Sequence, residues 1–149
     1  MYQELLVRVS QLTSAYGGAM QPPCPKAEID ELARRMADQL RARVPAPYAD
    51  LLRLHNGIDW NGLCVYASTD VPIVGYNDRV IMGCVEANLL RRDVPMWQEF
   101  LALAGTGDED FCLELKTGHY LSLDAVTLDM IRSFQSFDEM IHEALLQHL

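Results

Sequence analysis

Apolar positions in the first third of the chain recur at three- and four-residue spacing. Leu5, Leu6, Val9, Leu12 and Tyr16 share one helical face, and Gly17-Gly18 ends that helix. The run Gln21-Pro22-Pro23-Cys24-Pro25 is a stiff connector, because prolines favour extended geometry. A second helix is predicted from about Lys26 to Arg43, with Ile29, Leu32, Met36 and Leu40 as its apolar stripe. Its other face carries Asp30, Glu31, Arg34, Arg35, Asp38 and Arg41, a solvated surface with charge pairs three or four apart. A third, shorter helix opens on Pro47, whose fixed φ suits a first turn, and presents Tyr48, Leu51, Leu52 and His55. Asn56-Gly57 ends it, and Asp59-Trp60-Asn61-Gly62 turns the chain into a strand at Leu63 to Tyr66.

The pattern is weakest between Val71 and Gln98. Ile73 to Tyr76 is read as either a short strand or a loop, Asp78 to Leu90 as a helix broken early by Gly83, and Trp97 as packed in or near the core. From Phe100 the period changes to two. Leu101 and Leu103 lead to a turn at Gly105-Thr106-Gly107, then Phe111, Leu113 and Leu115 form the inward face of the next strand. Lys116-Thr117-Gly118 closes a hairpin onto Tyr120, Leu121 and Leu123, and Val126 to Phe134 is a further strand of the same antiparallel sheet. Ser136 with Glu139 makes a capping box for a last helix over 136–148, with Phe137, Met140, Ile141, Leu145 and Leu146 buried. The expected class is α+β: N-terminal helices packed on a mostly antiparallel sheet, with a closing C-terminal helix.

Two stretches resemble a known family. Tyr48 to Gly57 (Tyr-x-x-Leu-Leu-x-Leu-His-Asn-Gly) is similar to the helix and Asn-Gly turn that open the SUKH superfamily domain in its YrhA-like branch. Phe111 to Leu146 is similar to its later strands and the Ser-Phe-Asp-Glu-Met entry to a closing helix. The resemblance covers about two thirds of the chain, residues 44–149 beyond a helical portion at 1–43, and its motifs are turns and core positions. It implies one SUKH-like domain over 1–149. It also implies a cytoplasmic immunity protein that neutralises a cognate bacterial toxin by protein–protein contact, without catalysis, in competition between bacteria. The alternative it allows is a regulatory adaptor bound to a housekeeping protein.

Charge sharpens this expectation. Residues 1–60 hold seven basic and seven acidic side chains, whereas residues 61–149 hold five basic against fourteen acidic ones and so carry the whole net charge of −9. An acidic half repels nucleic acid and anionic membrane and attracts a basic partner; acidity that merely maintains solubility is the competing explanation. No run approaches the roughly 18 apolar residues of a membrane span. Met1-Tyr2-Gln3-Glu4 places an acid where a signal peptide needs basic charge. Cys24, Cys64, Cys84 and Cys112 contain no Cys-x-x-Cys pair and read as free, mostly buried thiols, Cys24 being the expected exposed exception.

Motifs for hydrolysis, phosphate or dinucleotide binding and metal ligation do not occur in the sequence, and the four histidines have no ligand spacing. The best catalytic constellation is Cys112 with His119 across a hairpin. A reactive thiolate needs cationic surroundings, and here Asp108, Glu109, Asp110 and Glu114 dominate. No catalytic, cofactor or metal residue is therefore assigned. The Asp108-Glu109-Asp110 run reads three ways: a hard-cation site, a solvated hairpin tip, or a partner contact that accelerates docking. The partner-binding residues expected from exposed loops after Trp60 are Asp70, Tyr76, Asp78, Asp108, Glu109 and Asp110. Tyr76 and Trp60 are the candidates for an apolar centre, burial being the competing fate of Trp60.

Overall fold

A computed structural model describes residues 1–149. Helices α1 (Tyr2–Ala15), α2 (Lys26–Leu40) and α3 (Ala46–Leu54) come first, and each buries the stripe its spacing dictates: Tyr2, Leu6 and Val9; Ile29, Leu32, Met36 and Leu40; Tyr48, Leu51 and Leu52. Strands β1 (Ile58–Trp60), β2 (Leu63–Val65), β3 (Val71–Pro72) and β4 (Val80–Ile81) precede helix α4 (Cys84–Arg91) and a 3-10 turn at Pro95–Glu99. Strands β5 (Phe100–Gly105), β6 (Glu109–Glu114), β7 (Tyr120–Asp124) and β8 (Met130–Phe134) lead to the closing helix α5 (Phe137–Gln147). The fold is α+β.

Six strands form one antiparallel sheet in the order β1-β2-β5-β6-β7-β8, while β3 and β4 pair separately. Cross-strand partners share a face. The row Val65, Ala104, Phe111, Ser122 and Arg132 lies on the side of α1, α3 and α5. There the Phe137 ring meets Tyr2, Tyr48 and Tyr120 edge-on at 5.8–6.3 Å. The row Cys64, Gly105, Asp110, Leu123 and Met130 lies on the other side, under α4 and the 3-10 turn. One core cluster runs from Tyr2 to Leu145 and draws on both layers of helices.

Several boundaries differ from expectation, each for a local reason. Helix α2 stops at Leu40 because Arg41 enters the left-handed region at φ 54° and Ala42 N–H turns back to the Met36 carbonyl. Helix α3 stops at Leu54: His55 is extended, and the Asn56 N–H leaves the helix for Pro22 O at 2.8 Å. Asp59 and Trp60 are strand rather than turn, and the hairpin closes on Asn61 (φ 51°) and Gly62 (φ 89°) alone. Gly83 does not break a helix; it is the N-cap of α4. Strand β8 begins only at Met130, because Asp124 Oδ1 accepts from the N–H groups of Val126 and Thr127 and closes a turn there.

Burial corrects four further expectations. Cys24 is 4% exposed, its N–H bonded to Leu52 O. Tyr16, at the end of α1, is 86% exposed rather than on the buried face. On β6 both Phe111 and Cys112 are fully buried, since helices cover both sides of the sheet, while Leu113, and Leu115 in the turn just past the strand, are only half-buried. Leu146 of α5 faces solvent, and Ala144 takes the core position. The capping box forms with one shift: Ser136 Oγ accepts from Glu139 N–H at 3.1 Å, while the Glu139 carboxylate accepts from Gln135 N–H one residue before the cap.

Candidate functional site

The Asn61-Gly62 turn is flanked by two hollows that share Gly62, with Arg79 lining one and Val80 the other. The first, about 310 Å³, lies between the end of α1 and the loop after β3. Tyr16, Trp60, Val74 and Tyr76 give it an apolar lining, and Asp59 and Arg79 its charge. Arg79 pairs with Asp59 at 2.7 Å and lies 5.0 Å over the Tyr76 ring, so one guanidinium braces both walls. Trp60 is held at its base by an Nε1–H bond to His148 O at 3.1 Å, to which the Asn61 amide also donates at 2.8 Å. The half-buried indole is thereby fixed to the end of α5.

The second hollow, about 670 Å³, has a polar floor of Tyr66, Asp110 and Arg91 and an aliphatic rim that includes Val80 and Leu90, 59% and 69% exposed. Arg91 Nη2 donates to the Tyr66 hydroxyl at 2.8 Å and to Asp110 Oδ1 at 2.9 Å, and Nη1 to Ala87 O at 2.7 Å. The guanidinium also stacks against the rings of Trp97 (5.2 Å) and Tyr66 (5.6 Å). Gly105 makes room for this: a Cβ there would meet Asp110 Oδ1 at 2.9 Å and the Tyr66 oxygen at 3.1 Å. Burial pulls the Arg91 guanidinium down, but the adjacent Tyr66 and Asp110 oxygens outweigh it and hold it above its ordinary value. Burial pushes the Tyr66 phenol up, against the opposing pull of Arg91.

The expected partner-binding residues separate into two groups. Tyr76 (48% exposed) lines the first hollow; Asp78, two residues on and next to Arg79, and Asp108, next to Gly107 of the second, are exposed and form no ion pair. Asp110 is a correction. It is 5% exposed and is the counter-ion of Arg91, because strand alternation turns it inward under α4. Glu109 points to the opposite face and pairs with Arg132 at 3.1 Å, its side chain 16% exposed. Asp70 is exposed, but its Oδ1 accepts from Gly83 N–H at 2.8 Å and so secures the start of α4. The three carboxylates of the hairpin thus diverge, which removes the cation-site reading of that run.

The Cys112–His119 pair does not form. Cys112 faces Leu121 in the register, and His119 lies exposed in the turn beyond. Burial raises the Cys112 thiol well above its usual range, and Cys64, half-buried on the second hollow, is pushed up to about 11 by burial with Asp59 adding to it. Neither is a thiolate near neutral pH.

Tyr16 and Arg91 are the site residues that sequence reasoning missed. Tyr16 had a signal: an aromatic against Gly17-Gly18 sits where a helix ends, and end positions are exposed. Arg91 is one of only five basic residues in the acidic half, yet nothing in the local pattern tells that it turns inward. No protein-family model matches this chain, and no curated protein aligns with it.

Proposed function

We propose that this chain is an immunity protein that binds a cognate toxin through the face around the Asn61-Gly62 turn. The observation that supports it best is the aromatic hollow of Tyr16, Trp60 and Tyr76. Two exposed tyrosines beside a half-buried tryptophan, one of them stacked with a braced arginine, have the composition of interface hot spots. Unpaired Asp78 and Asp108 beside the two hollows would draw in a basic surface, as the blocking of a basic groove requires. The resemblance of the Tyr48–Gly57 and Phe111–Leu146 stretches to SUKH domains supplies the biological role.

The test is co-expression of this chain with each candidate toxin domain found in its gene neighbourhood, scored by growth of the host. Growth restored by the wild-type chain, and lost with a Tyr16→Ala/Tyr76→Ala double variant that still folds, is the expected result. Equal killing with and without the chain overturns the proposal.

A further inference from the structure

The first hollow runs along a free sheet edge. Strand β1 is the outermost strand on its side, and the Asn61-Gly62 hairpin has a two-residue loop. In such a hairpin the flanking residues, Trp60 and Leu63, exchange both backbone bonds, so the Asp59–Cys64 pair is a non-bonded one. Asp59 therefore turns its N–H and C=O away from β2, and it lines the hollow. None of the backbone bonds made by turns and loops uses either group. The edge is closed on the side of Gly57 and Ile58, where Met20, Gln21 and Ile73 leave a void of only about 20 Å³. Asp59 is the open position.

We propose that this edge receives an extended, basic segment of a protein partner, paired by its main chain to Asp59 and seated between Tyr16 and Tyr76. This rests on the protein-binding reading above and specifies its mode. Main-chain pairing to a sheet edge gives affinity, and pockets for alternate side chains give specificity. With Ile58 covered and Trp60 paired to Leu63, the edge holds a short segment of about three residues, bonded through the one that faces Asp59. One large apolar side chain of that segment enters the hollow, against Trp60 and Val74. Asp59 is balanced by Arg79 in the wall itself, and the exposed, unpaired Asp78 beside Arg79 adds negative charge at the rim, on a chain that carries −9. Lysine or arginine beside the apolar anchor completes the match.

The experiment can be run before the partner is identified. A phage-displayed library of random dodecapeptides is selected on the folded protein, and a synthetic peptide of the winning family is followed by amide NMR and hydrogen exchange. Enrichment of peptides that carry a large apolar residue beside Lys or Arg, with the Asp59 amide protected about tenfold or more on binding, is expected. Tyr16→Ala and Tyr76→Ala, both at exposed positions, should each weaken the peptide about tenfold. Failure to enrich any family, peptides that map to the Val80–Leu90 hollow, or binding with the Asp59 amide unprotected overturns the inference. Toxin rescue is scored by growth, so failure of that reading is seen separately from failure of this one.

Discussion

The side-chain amide of Asn88 pairs with both backbone groups of Ala102: Nδ2–H donates to the carbonyl at 2.8 Å, and Oδ1 accepts the N–H at 2.8 Å. Strand β2 leaves β5 after Tyr66 N–H reaches Leu103 O, and an asparagine on α4 continues the ladder in its place. Asn88 is 1% exposed and also donates to Cys84 O at 2.8 Å, so α4 is fastened to the sheet at the point where the Arg91 cluster begins.

Asn88→Ala would leave the buried Ala102 N–H without a partner and its carbonyl with only the weak Cys84 S–H donor at 3.5 Å. At about 1–3 kcal/mol for the unsatisfied group, with the weakened carbonyl adding to it, a loss of about 2–3 kcal/mol is expected, roughly 6–10 °C in Tm. Asn88→Asp supplies a second test. A carboxylate facing two carbonyls is favoured only when protonated, so its folded pKa is raised above the unfolded value. Its deficit against wild type should be small below about pH 4 and grow as pH rises toward 7; a constant deficit in denaturant melts would refute the pairing.

Two glycines of the same stretch should respond differently to alanine. Gly62 (φ 89°) has nothing near its Cβ position, so Gly62→Ala costs about 1 kcal/mol for the backbone alone. Gly57 (φ 89°) adds contacts to Ile81 Cγ2 at 2.9 Å, Ala67 Cβ at 3.1 Å and Val65 O at 3.1 Å. Gly57→Ala is therefore expected to lose about 3 kcal/mol or more. Equal melting temperatures for the two variants would show that the packing around Gly57 is not tight.

Distance along the chain decides what the sequence could disclose. Helix stripes, the positive-φ Asn61-Gly62 turn and the Ser136 cap are local, and each was legible within about four residues. Asn88 and Asn56 were not. Asn56 is 6% exposed and exchanges two bonds with Ser68, through Ser68 N–H at 2.8 Å and Oγ at 3.1 Å, across twelve residues of chain. A buried asparagine and a turn asparagine look alike until the backbone groups they satisfy have been brought beside them. The same holds for Asp110, whose inward direction depends on where Arg91 lies. The Gly105 cradle needed both.

Alkaline pH should expose the buried thiols and phenols together. Burial raises Cys64 from 9.0 to about 11, Cys84 from 9.0 to about 12 and Tyr2 from 10.0 to about 12. Each group is neutral in the fold while its unfolded counterpart ionises first. Their contribution is thus complete below about pH 9 and is lost as pH rises through 11 to 12. Denaturant melts in reductant at pH 8, 9, 10 and 11 should be flat and then fall. A midpoint unchanged at pH 11 would contradict the burial of these groups.

Charge reversal separates docking from folding. Asp78 and Asp108 are exposed and unpaired, so Asp78→Lys and Asp108→Lys should leave the melting curve nearly unchanged. Asp110→Lys would set a second cation against Arg91, and Glu109→Lys against Arg132, each at a site largely closed to water. Loss of a buried ion-pair partner costs roughly 3–5 kcal/mol, so those two variants report on the fold and say nothing of the partner. With the partner in hand, the Asp78→Lys/Asp108→Lys double variant should slow association roughly tenfold at low salt and flatten its salt dependence. Dissociation should change little, because exposed charges act mainly on encounter. The aromatic pair Tyr16 and Tyr76 should show the reverse, faster dissociation at an unchanged association rate. Association rates at two salt concentrations decide the matter: if the double variant matches wild type at both, the acids beside the two hollows lie off the binding face.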